Sequence, residues 1–546
     1  MSSTNLLPLD ATAQKRFWWQ YLSGYHWYVL ILCALGWMFD CADQMIFTSS
    51  RSITMRDLLP GMPLKYQTEI GSVATTLFMI GWATGGLVFG IIGDKWGRAK
   101  TMALTIFLYA AFTGLSALSH NWQQFAASRF ITGFGVGGEF AAGAALVADV
   151  MPSAARAQAL GLLQALSALG NIFGAWMLQV VTWYAGNNEH LSWRYLYVVG
   201  ALPALVAVFV MARMREPEKW IAAKAAARET GRNDMGRISD LFTQPTWRRN
   251  TLVGLALAIA GVIGVWGIGF YSPELIDATF PQMTAAAGAQ VQQVIDAPND
   301  ASRAAKLHAL AAAAGQTGTG VAAEDTKVAK EATDAYRSLL GRTVAYGEKV
   351  PDDLASVRLT PTRQGRLLAL MAKRMEPKDA NRLKSNALML QQVGAFFGML
   401  IFSIMAVRIG RRYSFVIGFA LAWVSIAIVF LGFQHQNQIW YLYPLLGFCT
   451  LIPFGGYAVY FPELYPTRLR TTGTGFCYNC GRYVSSVGPL AFGALGAALV
   501  GRFETPAFRV AAVIVASIYI LGIVAAVAGP ETKDRPLPED ERVAVH

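Results

Sequence analysis

Apolar and polar residues alternate along this chain in long blocks, not at the period of an amphipathic surface helix. Runs of Leu, Ile, Val, Phe, Ala and Gly recur near 25–47, 69–91, 101–119, 123–147, 157–182 and 193–213. After a break they recur near 251–271, 386–407, 413–432, 438–461, 470–498 and 507–529. Each run is close to the ~20 residues that carry an α-helix across a bilayer, and only a helix satisfies its own backbone there. The pattern predicts an all-α membrane protein with twelve transmembrane helices, its principal surroundings being the lipid bilayer.

Charge sharpens the topology. A net charge of +12 would suggest nucleic acid as partner for a soluble chain, but here the basic residues crowd the even-numbered connections. They are Lys95, Arg98 and Lys100; Arg156; Arg213, Arg215, Arg248 and Arg249; Arg408, Arg411 and Arg412; Arg468 and Arg470. By the positive-inside rule these loops and both termini are expected in the cytoplasm. The connections at 119–123 and 433–438 carry no Lys or Arg, which agrees, whereas Arg51, Arg56 and Lys65 in loop 48–68 run against the trend. Trp18, Trp19, Trp27, Trp183, Trp193 and Trp440 fall near span ends, where indole suits the headgroup region. The first apolar run is too long for a cleavable signal and lacks a small-residue cleavage site. All five cysteines fall in spans, so no disulfide framework follows. The six histidines show no metal-ligand spacing, and no phosphate-binding loop or nucleophile–base pair is legible, so neither metal, cofactor nor enzymatic chemistry is expected.

The chain contains an internal echo. Asp149-Val-Met-Pro152-Ser-Ala-Ala-Arg156 follows span four, and Glu463-Leu-Tyr-Pro466-Thr-Arg-Leu-Arg470 follows span ten. The same acid-x-x-Pro-x-x-x-Arg device six spans later implies two repeated six-helix bundles, with a substrate site between them. The expected organisation is 1–213 as the first bundle, 214–250 as a cytoplasmic linker, 251–273 as helix seven, 274–385 as an insertion, and 386–546 as the rest of the second bundle with its tail. The insertion is Ala-rich with helical periodicity over 301–314 and 324–340, and its position after span seven places it outside the cytoplasm.

Between spans two and three stands Gly90-x-x-x-Asp94-Lys95-Trp96-Gly97-Arg98-Ala99-Lys100. With this motif the chain resembles the major facilitator superfamily. Its second-half copy, Arg408-Ile-Gly410-Arg411-Arg412, keeps the basic end but has Val407 where the acid would stand. Arg129 through Glu139, Arg215-Glu-Pro217-Glu218-Lys-Trp220, Pro462 through Arg470 and Pro530-Glu531-Thr532-Lys533 resemble the sugar-porter and organic-acid symporter groups. Phe39-Asp40-Cys-Ala-Asp43 is similar to the D-G-x-D of aromatic-acid/proton symporters, with Cys41 in place of Gly. The resemblance implies a secondary transporter of the inner membrane, a monomer working on a small molecule and protons. It also implies a cytoplasmic gate at Gly90, Asp94, Lys95, Gly97 and Arg98, with Asp149, Arg156, Glu463 and Arg470 acting at the same face.

Charges within a span are costly and call for a role or a partner. Asp40 and Asp43 lie three apart on one face of span one, and Glu139 follows a Gly-x-Gly-x-Gly-Gly run that admits a close neighbour. Carboxylates sharing a dry site can hold a proton near neutral pH. Proton coupling is therefore expected at Asp43, Asp40 or Glu139, with Asp43 favoured because it aligns with the span-one acid of similar porters. Pairing of Asp40 with Arg129 is the structural alternative. Arg482 in span eleven offers a fork that matches a carboxylate, and similar organic-anion carriers place an arginine in this helix; an internal ion pair with Glu139 or Asp43 competes with that role. Further candidates for substrate contact are Arg129, Gln391, Gln392, Trp266, Tyr271, Tyr457 and Asn479. The paired glutamines of sugar porters are missing from span seven. The function expected is proton-coupled symport of a small organic anion, with a sugar or polyol symporter, an exporter and a transporter-like sensor as alternatives.

Overall fold

The computed structural model describes residues 17–184, 189–211, 214–229, 231, 234–268, 272–316, 322–343, 359–485, 495, 499 and 507–539. The first bundle contains α1 (Gly24–Leu58), α2 (Leu64–Trp96), α3 (Arg98–Ser116), α4 (Trp122–Val150), α5 (Ser153–Tyr184) and α6 (Glu189–Met211). Helices α7 (Glu218–Glu229) and α8 (Asp240–Thr243) lie in the linker, and α9 (Pro245–Gly267) begins the second bundle. Then come the small helices α10 (Ser272–Thr279), α11 (Ala285–Ile295), α12 (Asp300–Gly315), α13 (Ala323–Thr343) and α14 (Pro361–Ala372). Helices α15 (Pro377–Ile409), α16 (Arg411–Gly432), α17 (Ile439–Glu463), α18 (Arg470–Ser485), α19 (Ala507–Ala516) and α20 (Ile518–Ala528) follow.

Among the described residues, ten helical spans are long and apolar enough to cross a bilayer, α19 and α20 together making one. The sixth and eleventh predicted spans fall on α6 and α18, parts of which lie outside the described residues. Several helices overrun the apolar runs that announce them. The best case is α15, which starts at Pro377, well before the apolar run at 386, because Pro at the first helical position and Asp379 in the first turn make a good helix start.

Bare backbone on glycine sets the tightest helix contacts. Gly81 and Gly85 of α2 face the carbonyls of Phe130 and Phe134, while Gly133 and Gly137 of α4 face those of Phe78 and Trp82. A Cβ at Gly137 would sit 1.9 Å from the Trp82 oxygen. The second bundle repeats the device: Gly394 and Gly398 of α15 meet the carbonyls of Pro444 and Phe448 on α17. Without a hydrophobic drive between helices in lipid, such close approach is what holds them together.

The α2–α3 and α15–α16 corners match in the same way. Gly97 (φ +133°) and Gly410 (φ +89°) make the turns, in backbone conformations that penalise any Cβ. Each turn is filled by a glutamate that caps the next helix. Glu216 accepts the amides of Ala99 and Lys100 at 3.2 and 3.1 Å. Glu531 accepts those of Arg411 and Arg412 at 2.9 and 3.1 Å. Partial burial alone would push the Glu531 carboxyl up, but the amides of Arg411, Lys533 and Arg412 outweigh it and hold the group below the usual carboxylate range.

The insertion has its own small core, in which Val291, Leu307, Tyr336, Leu339, Leu367 and Met371 pack together apart from the membrane bundles. Its neck is tied to the second bundle. Backbone bonds between the segments at Pro281–Met283 and Met375 close that neck (Met283 N to Met375 O 3.0 Å, Met375 N to Pro281 O 2.8 Å). Lys384 pairs with Asp277 at 2.8 Å, and Arg509 donates to Thr279 at 2.6 Å. Trp193 is not interfacial as the sequence suggests: it is buried and donates to Asp57 at 2.9 Å, whereas Trp183 and Trp440 are exposed.

Two outcomes follow for the corners. Gly410→Ala should cost roughly 1–3 kcal/mol from the left-handed backbone alone, seen as a lower unfolding temperature in detergent, and Gly97→Ala should behave alike. Because the Glu531 carboxyl is held low in the folded state, its contribution is present above the unfolded carboxylate pKa. It fades as pH falls through the folded value, so the unfolding temperatures of wild type and Glu531→Gln should converge in acid.

Candidate functional site

Five buried charged residues lie in the first bundle and at its contact with the second. On α1, Asp40 and Asp43 are both buried, as are Arg129 and Glu139 on α4 and Arg482 on α18. The acid that pairs with Arg129 is Asp43, at 3.4 Å, not Asp40. Thr113 donates to the same carboxylate at 2.7 Å. The remaining guanidinium protons go to Ser116 (2.8 Å) and Thr132 (3.0 Å), and Tyr197 lies 4.8 Å from the guanidinium carbon. The difference is one of register: a step of three residues turns Asp43 toward α3 and α4, and Asp40 toward the bundle interface.

Asp40 and Glu139 are arranged otherwise. Among the described residues, neither carboxylate has a hydrogen-bond partner. Glu139 points at α1, where a Cβ on Gly36, one turn from Asp40, would lie 2.4 Å from its Oε1. Asp40 lies in electrostatic range of Glu139, Asp43 and Arg482. Arg482 donates to the Tyr478 carbonyl (3.3 Å) and to Asn479 Oδ1 (3.1 Å). Its guanidinium carbon sits 3.9 Å from the ring centre of Trp82 and 4.4 Å from that of Tyr478. Tyr478 in turn stacks on Phe140 at 4.0 Å and lies near Trp37 and Tyr457. The centre is therefore two unpartnered acids and a guanidinium lined with aromatic faces, which attract a cation. Sequence reasoning missed Trp37, Trp82 and Phe140; only spacing relative to Arg482 in three dimensions reveals them.

The other candidates separate by contact. Asn479 crosses the bundle interface, its amide seated over Gly86 and donating to Gly475 (2.9 Å) and Gly137 (3.4 Å) carbonyls. Gln392 accepts from Asn171 of the first bundle at 3.2 Å, and Gln391 accepts from Ser272 at 2.8 Å. Tyr457 donates to the Leu257 carbonyl at 2.6 Å and packs on Phe461, so it braces the second bundle. Tyr271 and the side chain of Trp266 lie outside the described residues.

At the face bearing the linker, charge is shared across the bundles. Asp94 caps α18: it accepts the amides of Thr471 (3.1 Å) and Thr472 (2.8 Å) and the Thr472 hydroxyl (2.7 Å). Arg98 bridges Asp94 (3.3 Å) and Asp149 (3.2 Å), and Arg470 of the second bundle also pairs with Asp149. In the second bundle Arg411 takes the place of Arg98, with Glu463 at 2.7 Å, but Val407 leaves that corner without a reach across. Thr472 also donates to the Gly90 carbonyl (3.3 Å), and Lys224 to that of Lys95 (3.1 Å). Arg156 bonds the carbonyls of Ala148 (3.0 Å) and Met151 (3.4 Å). From here the bundles stay in contact up to Thr84–Tyr483 (2.7 Å) along α2 and α18, so this face is closed.

The Major Facilitator Superfamily profile matches residues 20–318. A protein named "Probable 4-methylmuconolactone transporter" from Cupriavidus pinatubonensis is 23% identical over 85% of this chain and 82% of its own. The cis,cis-muconate transport protein of Acinetobacter baylyi is 22% identical over 87% and 89%. The proton:xylose symporter XylE superposes with a TM-score of 0.59 at 14% identity, over 96% of this chain and all of its own, a likeness of fold.

The two acids of α1 should differ in stability. Asp43→Asn strands the Arg129 cation and should cost about 3–5 kcal/mol, read as a large fall in unfolding temperature. Asp40→Asn removes a carboxylate with no hydrogen bond and should leave that temperature unchanged or raise it. Equal losses in both would contradict the pairing.

Proposed function

Because the chain belongs to the Major Facilitator Superfamily, a family of membrane transporters and not of enzymes, we propose that it carries a small organic carboxylate together with protons by alternating access. The observation that carries this reading is Arg482, buried at the bundle interface beside two carboxylates that have no hydrogen-bond partner among the described residues. A guanidinium in such a place is a clamp for a carboxylate, and desolvation strengthens the charge-assisted bonds it makes. The aromatic walls around it suit a flat, conjugated acid. The names of the two muconate-type transporters agree with that class.

The sequence favours Asp43 as the proton carrier; the geometry moves the weight to Asp40 and Glu139. A proton on Asp43 would strand the Arg129 cation that it balances. A proton on Asp40 or Glu139 instead neutralises charge that no hydrogen bond compensates. Substrate arriving at Arg482 and a proton arriving at the acids then cancel each other's cost, which couples the two. Asp94, Arg98, Asp149 and Arg470 hold the cytoplasmic face closed until both have bound. In this reading both termini and the linker are cytoplasmic, the membrane is the bacterial inner membrane, the insertion 274–385 faces outward, and transport is inward.

Uptake by proteoliposomes tests this. Given a panel of labelled conjugated and aromatic carboxylates and neutral sugars, an inward proton gradient should stimulate carboxylate uptake only. Arg482→Ala should lower that uptake at least about tenfold, the equivalent of one charge-assisted bond. Asp40→Asn should keep exchange of internal for external substrate but lose the response to the gradient. Uptake of sugar alone would select the sugar-porter reading, to which the aromatic walls are also suited.

A further inference from the structure

Where the insertion joins the second bundle, a groove of about 500 Å³ opens between the start of α11, the first turns of α15 and the α16–α17 loop. Its polar lining is Arg374, Glu376, Asp379, Arg382, Asn386 and Gln436. Among the described residues Arg374, Asp379 and Arg382 have no ion-pair partner, while Glu376 is engaged by Lys378 at 3.2 Å. A groove holding two guanidinium groups and a nearby carboxylate matches a ligand with an anion and an ammonium a short distance apart.

The position of the groove narrows the choice. Along α15 the steps Arg382, Asn386, Met389, Val393 and Phe397 keep to one helical face. Met389, Val393 and Phe397 on that face are 37%, 43% and 57% exposed, so an apolar stripe runs down from the groove. At ~1.5 Å per residue, the largely apolar stretch 387–407 is roughly 30 Å long, one hydrocarbon core. Asn386 therefore stands at its edge. On α17 the same level is marked by exposed Trp440 and Tyr441, aromatic side chains suited to the headgroup layer. The contact of Gly394 with the Pro444 carbonyl sets the register, and Asn386 and Gln436 lie equally far beyond it along their chains.

We propose that this groove binds the headgroup of a phosphatidylethanolamine. Arg374 and Arg382 hold the phosphate, Asp379 receives the ammonium N–H groups, and one acyl chain lies along Met389, Val393 and Phe397. That the lipid belongs to the outer leaflet rests on the orientation given under the proposed function; the binding itself does not. The insertion thereby completes a lipid site that the bundle alone would leave open on one side, since Met283 and Ala285 form its far wall.

Native mass spectrometry of the full chain in detergent, with palmitoyl-oleoyl phosphatidylethanolamine, phosphatidylglycerol and phosphatidylcholine added in turn, tests the site. The ethanolamine lipid should give the most abundant adduct. Phosphatidylcholine, whose ammonium has no N–H to donate, should bind less. Arg374→Gln/Arg382→Gln should reduce the ethanolamine adduct about tenfold, the loss expected of one or two charge-assisted bonds. Asp379→Asn, a nearly isosteric change that keeps the helix start, should retain lipid but erase the preference for ethanolamine over choline, and it decides the matter if the double variant aggregates. The proposal is overturned if a monodisperse double variant binds as wild type does, or if wild type takes all three lipids equally. It is also overturned if inorganic phosphate displaces the adduct, which would make the groove a site for soluble anions. None of these readouts involves transport, so their failure leaves the carboxylate reading standing, and the reverse.

Discussion

A guanidinium taken out of water must recover its hydration from carboxylates, hydroxyls and carbonyls, and in a membrane bundle no loop of solvent stands in reserve. Arg98, Arg129, Arg470 and Arg482 are all buried here, and each is met by groups from more than its own turn of helix. Meeting that demand ties helices together at three levels. Arg129 binds α4 to α1 and α3 inside the first bundle. Arg98 and Arg470 converge on Asp149 and bind the bundles to each other at the linker face. Arg482 holds the middle of the interface, its guanidinium set against the rings of Trp82 and Tyr478 and bonded to the Tyr478 carbonyl and Asn479.

The repeat accounts for much of the rest and, where it breaks, for the asymmetry. Glycine turns at 97 and 410, glutamate caps at 216 and 531, and the Arg98–Asp149 and Arg411–Glu463 pairs are the same construction made twice. One member differs. Asp94 reaches the N-terminal amides of α18, where an anion is favoured by the helix dipole, while Val407 offers nothing comparable to the opposite bundle. The cap that closes this face is thus made by a first-bundle carboxylate on a second-bundle helix.

The spans, the helical insertion segments at 300–315 and 323–343, and the loop motif were legible because each is a local pattern of period or spacing. Packing by Gly133 and Gly137 was half legible: their run announces close approach but not the partner, and Gly81 and Gly85 of α2 carried no such signal. The Arg129 partner was not legible, since choosing between Asp40 and Asp43 requires the rotation of α1 against α4, and sequence spacing gives only their shared face. Trp82 and Phe140 were hidden for the same reason, being ordinary apolar residues until Arg482 and Tyr478 are set beside them. Trp193 misled because its place at a span end suggests the interface, while Asp57 on another helix draws its indole inward.

The insertion carries one more consequence. It has a core of its own, its neck is closed by the Met283–Met375 pairing, and it is fastened to α15 and α19 through Asp277–Lys384 and Thr279–Arg509. A rigid mass bolted to one moving part works as a pointer. Any movement of the second bundle against the first carries α12 and α13 with it. For a chain of 59.3 kDa otherwise submerged in a featureless micelle, that pointer is a built-in fiducial, able to align single-particle images and to report by its angle which way the transporter faces.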